Sequence, residues 1–110
     1  MNKYESVIIM KPTMNDEERK NQLKKYKEFL EQFSSRPVTI EDLGKKRLAY
    51  EVKNNKEGYY AIFNFHGKTE DIVDLERKYR IDDNVLKFIT VRQEQELEDI
   101  ESIEDEDMEM

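Results

Sequence analysis

The chain of 110 residues contains no cysteine, no tryptophan, one histidine, three glycines and two prolines. Without cysteine, neither disulfide bonds nor thiolate metal sites can form. A single histidine completes neither a zinc site nor a nucleophilic pair with cysteine. No apolar run approaches the roughly 20 residues of a membrane helix, and the N-terminal residues do not resemble a signal peptide. These absences predict a cytoplasmic protein without metal, cofactor, membrane segment or small-molecule substrate.

The charged residues are unevenly distributed, although the whole chain has a net charge of −7. Residues 93–110 hold ten acidic residues and no lysine or arginine, whereas residues 1–92 hold sixteen acidic and nineteen basic residues, a net charge of +3. A basic body beside an acidic tail is typical of proteins that face nucleic acid. Because like charges repel and few apolar residues remain, we predict that the tail is disordered rather than transiently helical.

Four segments have the residue pattern of β-strands. They cover residues 4–10, 38–52, 59–65 and 85–91. Apolar residues on both faces of the first segment predict an interior strand. Gly44, inside the second segment, predicts a bulge or bend. Residues 54–58 predict a turn that joins the second and third strands as a hairpin.

Two further segments have the 3.6-residue period of amphipathic helices. The first runs from about Asn15, a candidate N-cap, to Phe33, and the second begins with Thr69 as its N-cap. Their apolar stripes consist of Leu23, Tyr26, Leu30 and Phe33 in the first helix and of Ile72, Leu75 and Tyr79 in the second. The order β-α-β-β-α-β over residues 1–92 predicts an α+β, ferredoxin-like fold, with two helices on one face of a four-stranded antiparallel sheet.

This fold hosts enzymes, carriers and regulators, so the fold alone does not predict the function. The loop after the first strand lacks the glycines that cradle a phosphate group, which disfavours an enzyme. RNA-reading members of the fold stack bases on aromatic residues of the third strand. In this chain Tyr60 replaces the expected small residue and Ala61 replaces the expected aromatic residue. We therefore predict core packing for the remaining aromatic residues, Tyr59, Phe63 and Phe65.

Other residues that carry chemistry have ordinary structural interpretations. His66 is interpreted as a surface or capping residue. The adjacent carboxylates Glu41–Asp42 and Asp82–Asp83 are interpreted as solvated turn residues rather than as metal ligands or acid–base pairs.

The most distinctive motif is Asp-Leu-Gly-Lys-Lys-Arg-Leu-Ala-Tyr-Glu-Val-Lys at residues 42–53. It resembles the signature of the ribosomal protein S6 family of the bacterial small ribosomal subunit. That signature has a glycine, any residue, a basic and a polar residue, then Leu-Ala-Tyr, one free position, an isoleucine and a polar residue. Val52 replaces the isoleucine. The similarity extends to Tyr4-Glu5, to Gly58-Tyr59 and to residues 80–85, and covers residues 1 to about 95.

The resemblance implies a structural constituent of the small ribosomal subunit that is cytoplasmic, ribosome-bound and not an enzyme. It implies binding to the central domain of small-subunit (16S) ribosomal RNA, in a heterodimer with ribosomal protein S18. The alternative is a free ferredoxin-like module that binds a small ligand or oligomerises in regulation. An enzyme that acts on acyl phosphates or nucleotides is less favoured.

Basic residues near the glycine bend and the strand ends are the candidates for contact with RNA or with the protein partner. They are Lys3, Lys45, Lys46, Arg47, Lys53, Arg80, Lys87 and Arg92. Because strand residues alternate, Lys46 should point away from Lys45 and Arg47. The second strand is expected at the sheet edge, where apolar residues either bind the partner or face the helices. These edge residues are Leu48, Tyr50 and Val52.

Overall fold

The computed structural model describes residues 2–93, which form six elements in the predicted order. They are β1 (Asn2–Met10), α1 (Asp16–Glu31), β2 (Thr39–Val52), β3 (Asn55–Gly67), α2 (Thr69–Ile81) and β4 (Val85–Gln93). The strand order is β2-β3-β1-β4, and all neighbours are antiparallel. The predicted ferredoxin-like fold is therefore confirmed. The predicted tail over residues 93–110 lies outside the described residues, apart from Gln93, which ends β4.

β1 is the interior strand that its two-sided apolar pattern predicts, because it pairs with both β3 and β4. Its even-numbered residues from position 4 onward are buried on the side of the helices. One of them is polar: the hydroxyl oxygen of Ser6 lies 2.8 Å from that of Tyr79 and 3.0 Å from that of Thr90. These hydrogen bonds compensate for the burial of the hydroxyl and tie β1 to α2 and β4.

The core lies between the sheet and the two helices, and both predicted helix stripes contribute to it. Its fully buried aromatic residues are Tyr26, Phe63, Phe65 and Tyr79, and Phe33, Tyr59 and Ile72 pack against it while partly exposed. The ring of Tyr26 lies 4.9 Å from that of Tyr79 and 6.2 Å from that of Phe63. Since Tyr59, Phe63 and Phe65 of β3 belong to or pack against this core, the prediction that these three are packing residues is confirmed.

Side-chain hydrogen bonds define where each helix begins. Asn15 caps α1 as predicted: its Oδ1 accepts from the Glu18 N–H at 2.8 Å, and Glu18 Oε1 accepts from the Asn15 N–H at 2.9 Å. For α2 the predicted cap is wrong by one residue. Thr69 is the first helical residue and Lys68 is the N-cap, because the Asp71 carboxylate accepts the Lys68 N–H at 2.8 Å.

The turn between β2 and β3 is tighter than predicted and consists of Lys53 and Asn54. Their φ angles are 48° and 67°, and positive values at both central residues are typical of a two-residue type I′ turn. The side-chain amide of Asn55 donates to the carbonyl of Lys53 at 2.9 Å. The prediction of a turn over residues 54–58 is wrong because Asn55 and Glu57 already pair with β2.

Candidate nucleic-acid and partner interface

The candidate interface begins at the predicted bulge in β2. The β2–β3 register shifts between Asp42 and Gly44. Gly44 has a φ of +77°, a conformation that glycine adopts without the steric cost of a Cβ atom. The Asp42 carboxylate accepts the Gly44 N–H at 3.1 Å. The sequence therefore locates the bend correctly, and the bend redirects the strand just before its three consecutive cations.

Lys45 and Lys46 lie on opposite faces of β2, as the alternation predicts. The Lys45 Nζ atom lies 5.3 Å from the ring centroid of Tyr59, which packs toward the helices. The Lys46 Nζ atom lies 6.0 Å from the ring centroid of Tyr60, the next residue of β3. All three cations of this segment, including Arg47, are exposed. They present positive charge on both sides of the sheet edge rather than converging on one point.

The strand position supports the predicted partner edge, since β2 is an outer strand of the sheet. Tyr50 is 63% exposed, so its side chain does not pack under the helices, whereas Leu48 and Val52 are half-buried. Residues 48–51 lie inside a second register shift. This part of β2 therefore combines an exposed aromatic side chain with an irregular backbone at an open edge.

Two predicted site residues contact each other across the sheet. Lys87 of β4 donates a hydrogen bond from Nζ to the Tyr50 hydroxyl at 2.6 Å, and its Nζ lies 4.9 Å from the centre of that ring. Because β2 and β4 are opposite outer strands, the end of the hairpin reaches over the sheet. Gly58 of β3 approaches β1 closely at this end of the sheet, since a Cβ atom there would lie 2.5 Å from Ile9 Cγ2.

The remaining predicted cations do not join this group. Arg80 lies at the end of α2, 3.8 Å from the Glu76 carboxylate and 5.7 Å from the centre of the Phe88 ring. Lys3 and Arg92 lie at the opposite end of the sheet. His66, which pairs with Lys3, and Asn55, which follows the hairpin turn, lie about 35 Å apart along β3. The structure thus brings Lys45, Lys46, Arg47, Lys53 and Lys87 to the hairpin end of the sheet and leaves the others apart.

Arg19 also belongs to this region, although no motif of the sequence includes it. Its guanidinium donates to Asp42, lies 3.6 Å from the Asp16 carboxylate and lies 4.9 Å from the centre of the Tyr59 ring. Burial would lower the pKa of Arg19, but the hydrogen bond and the charges of Asp42 and Asp16 outweigh it and raise the pKa. This cation, whose side chain is only 13% exposed, ties α1 to β2 beside the bulge. In the sequence, only the spacing of Arg19 from Asp16, which suits an ion pair within a helix, could have indicated this role.

Asp82, the first of the two adjacent carboxylates after α2, is not the solvated residue that the sequence predicts. Its side chain is 9% exposed. Its Oδ2 accepts from Lys25 at 3.1 Å, from Tyr26 at 2.6 Å and from Gln22, and its Oδ1 accepts from the Asn84 N–H at 2.9 Å. Burial would raise the pKa of Asp82, but the hydrogen bonds from Tyr26, Asn84 and Lys25 hold it below its ordinary value.

Within residues 2–93, the acidic and histidine side chains form no group of three or more that could hold a metal ion. Among the described helices, none has the length and apolar character needed to cross a membrane.

Comparison with known proteins decides the family. Residues 3–92 match the family described as Ribosomal protein S6. The chain belongs to this family. Small ribosomal subunit protein bS6 of Synechocystis sp. is 36% identical over 92 residues, which cover 84% of this chain and 81% of that protein. The bS6 protein of Helicobacter pylori is 41% identical over 98 residues, covering 89% and 69%.

Solved structures agree with the family. The structure of 30S ribosomal protein S6 from Thermotoga maritima has a TM-score of 0.78 and 28% identity, and covers 97% of both chains. An Arabidopsis thaliana protein with a TM-score of 0.56 and 12% identity shares the fold alone. Membership in the S6 family confirms a structural role in the small ribosomal subunit, a ribosome-bound cytoplasmic location and the prediction that the chain is not an enzyme.

Proposed function

We propose that this S6-family chain binds the central domain of small-subunit ribosomal RNA in a heterodimer with ribosomal protein S18. The observation that supports this most is the exposed cationic hairpin at the open β2 edge. This element carries both exposed cations that can meet phosphate groups and an exposed aromatic residue that can meet a protein.

The RNA side of the proposal rests on Lys45, Lys46 and Arg47. All three are exposed, and within residues 2–93 none of them forms an ion pair with a carboxylate. They can therefore exchange water and counterions for phosphate oxygens without breaking an ion pair of the fold. Since residues 1–92 have a net charge of only +3, the chain binds RNA weakly alone and more tightly with its partner.

The protein side rests on Leu48, Tyr50 and Val52. An edge strand leaves backbone N–H and C=O groups unpaired, which a second protein can use. Exposed tyrosines are frequent anchors of protein interfaces because the ring buries a large area and the hydroxyl keeps a hydrogen bond. Lys87 contacts the Tyr50 hydroxyl and ring, which favours one orientation of the exposed side chain.

The test is a titration of the purified chain onto a central-domain RNA fragment, with and without S18, at two salt concentrations. We expect cooperative, salt-sensitive binding that requires S18. Absence of binding in every combination, with a folded protein and a competent RNA, would contradict the proposal.

A single substitution tests the partner edge. Tyr50→Ala should weaken the affinity for S18 at least roughly tenfold if the ring is an anchor of the interface. Val73→Ala is the matched control, because Val73 is an exposed apolar residue on α2, 49% accessible. Equal affinities of the two variants would remove Tyr50 from the interface.

A further inference from the structure

A cleft of about 500 Å³ lies at the end of the sheet opposite the hairpin, and cations line it. Lys3 of β1 and Arg36 of the α1–β2 loop contribute the charges, beside Thr39, Asn64 and His66. No carboxylate is among its described lining residues. Glu41 borders the cleft, because it accepts a hydrogen bond from the Asn64 amide at 3.1 Å. Because the described lining residues include two cations and no carboxylate, the cleft has the chemistry of an anion-binding surface.

The loop that carries Arg36 is fixed to the sheet rather than loosely attached. Ser34 accepts the His66 N–H at 3.1 Å and donates its hydroxyl to the Arg36 carbonyl at 2.6 Å. This relay ties the backbone of residues 34–36 to the end of β3. On the other side Lys3 pairs with His66 in the β1–β3 register. The two cations therefore flank one preformed cleft.

The described part of the chain ends beside this cleft, where the acidic tail begins. Gln93, the last residue of β4, pairs with Lys3, so the tail starts about one strand spacing, roughly 5 Å, from a lining cation. Residues 94–110 contain ten acidic residues and no lysine or arginine. Fully extended, a segment of this length spans up to about 55 Å, so every acidic residue in its first half can reach the cleft.

We propose that the acidic tail, residues 94–110, binds the Lys3–Arg36 cleft of the same chain and competes there with RNA phosphates. A tethered segment of this length has an effective concentration in the millimolar range, which suffices for a weak, salt-sensitive contact between exposed charges. The tail is thus an intramolecular RNA mimic that limits non-specific RNA binding. The competition rests on the proposed RNA-binding function, whereas the contact between tail and cleft does not.

The contact is tested without RNA, by a spin label on the full chain. Because the chain contains no cysteine, Ser102→Cys provides a unique labelling site in the tail. At low salt we expect NMR line broadening of the Thr39, Asn64 and His66 amides, with Asn54 in the distant hairpin unaffected. The broadening should fall at least roughly twofold in 0.5 M salt, because screening weakens contacts between exposed charges.

Matched variants separate binding from mere proximity. Lys3→Gln with Arg36→Gln should reduce the broadening as much as salt does. Lys3→Arg with Arg36→Lys keeps both charges and should retain it. Lys20→Gln with Lys24→Gln removes two exposed charges from α1 and should also leave it unchanged. Broadening that is insensitive to salt and equal in all variants would show only that the tail is tethered nearby, and would overturn the proposal.

The competition is tested by neutralising the first half of the tail in the full chain. The changes are Glu94→Gln, Glu96→Gln, Glu98→Gln, Asp99→Asn and Glu101→Gln. Because the tail has a millimolar effective concentration at the cleft, we expect its neutralisation to raise the RNA affinity roughly twofold to tenfold at low salt. The rise should be smaller when Lys3 and Arg36 are also changed to glutamine. Equal RNA affinities of the native and neutralised chains would overturn the competition. If neither chain binds RNA, the proposed function fails and the competition fails with it, while the spin-label result still decides the contact.

Discussion

Two regions of this S6-family chain carry many charged residues and use them in opposite ways. The first region is where α1 meets β2, at Arg19, and meets the loop before β4, at Asp82. Both side chains have little solvent exposure and are bonded to residues of other elements. At the hairpin, Lys46 and Arg47 are exposed and form no ion pair within the described residues. Burial and bonded partner residues, rather than residue type, therefore distinguish the charges that stabilise the fold from the charges that are available to RNA.

The largest effect is expected from removing the Asp82 carboxylate. Asp82→Ala leaves the Tyr26 hydroxyl, the Gln22 amide and the Asn84 N–H without their acceptor. We expect a loss of about 2–4 kcal/mol in the free energy of unfolding, measured by urea denaturation. Asp83→Ala, its exposed neighbour, is the control and should change stability by less than about 0.5 kcal/mol. Similar losses of stability in both variants would contradict the claim that Asp82, but not Asp83, stabilises the fold.

The same carboxylate predicts a pH dependence. Because folding lowers the pKa of Asp82, its contribution is present above the unfolded-state pKa of about 4. It is lost as the pH falls through the lower folded-state pKa. Urea denaturation between pH 7 and pH 2.5 should show a smaller loss of stability in Asp82→Asn than in the native chain, because the variant has no proton to take up there. Parallel pH profiles of the two proteins would contradict the assignment.

Two arginines that differ in solvent exposure should also differ in their contribution to stability. Arg19→Gln removes a largely shielded guanidinium bound to Asp42 and in contact with the Tyr59 ring, and should cost about 1–2 kcal/mol of stability. Arg47→Gln, at an exposed position, should cost less than about 0.5 kcal/mol. Thermal unfolding monitored by circular dichroism measures both. A reversed order would mean that exposure does not distinguish the two regions.

The smallest effect is expected at the contact between Tyr50 and Lys87. Tyr50→Phe removes the accepting hydroxyl but keeps the ring beside the ammonium group. Since Lys87 and Tyr50 are exposed, stability should change by no more than about 0.5 kcal/mol. The hairpin should become more mobile, which amide hydrogen exchange of residues 48–52 would reveal. Unchanged exchange there would show that the contact does not hold the hairpin in place.

The sequence predicts the fold well where a feature depends on neighbouring residues. The Asn15 cap, the bulge at Gly44 and the interior position of β1 follow from local patterns, and the structure has all three. The errors at Thr69 and at the hairpin turn are errors of boundary. At each point a nearby side-chain bond, from Asp71 or Asn55, selects a position that composition alone leaves open.

The candidate site is less predictable because its contacts join residues that are distant in sequence. Tyr50 and Lys87, 37 residues apart, meet only because the hairpin crosses the sheet. Asp82 acquires its partners from α1, 56 and 57 residues away, and no local pattern marks it as buried. Likewise, the cleft forms when a loop and the ends of three strands converge. The resemblance of residues 42–53 to the S6 signature predicts the family but not these contacts.

The decisive measurement is RNA affinity as a function of salt concentration, with S18 present. It compares two variants, each of which loses three positive charges. One changes Lys45, Lys46 and Arg47 to glutamine, and the other changes Lys20, Lys24 and Lys27 of α1. Each lost phosphate contact should reduce the slope of log affinity against log salt by roughly 0.7–0.9. We therefore expect a reduction of about 2–3 in the hairpin variant and no change in the α1 variant. Equal slopes in both variants would contradict the claim that the hairpin binds RNA.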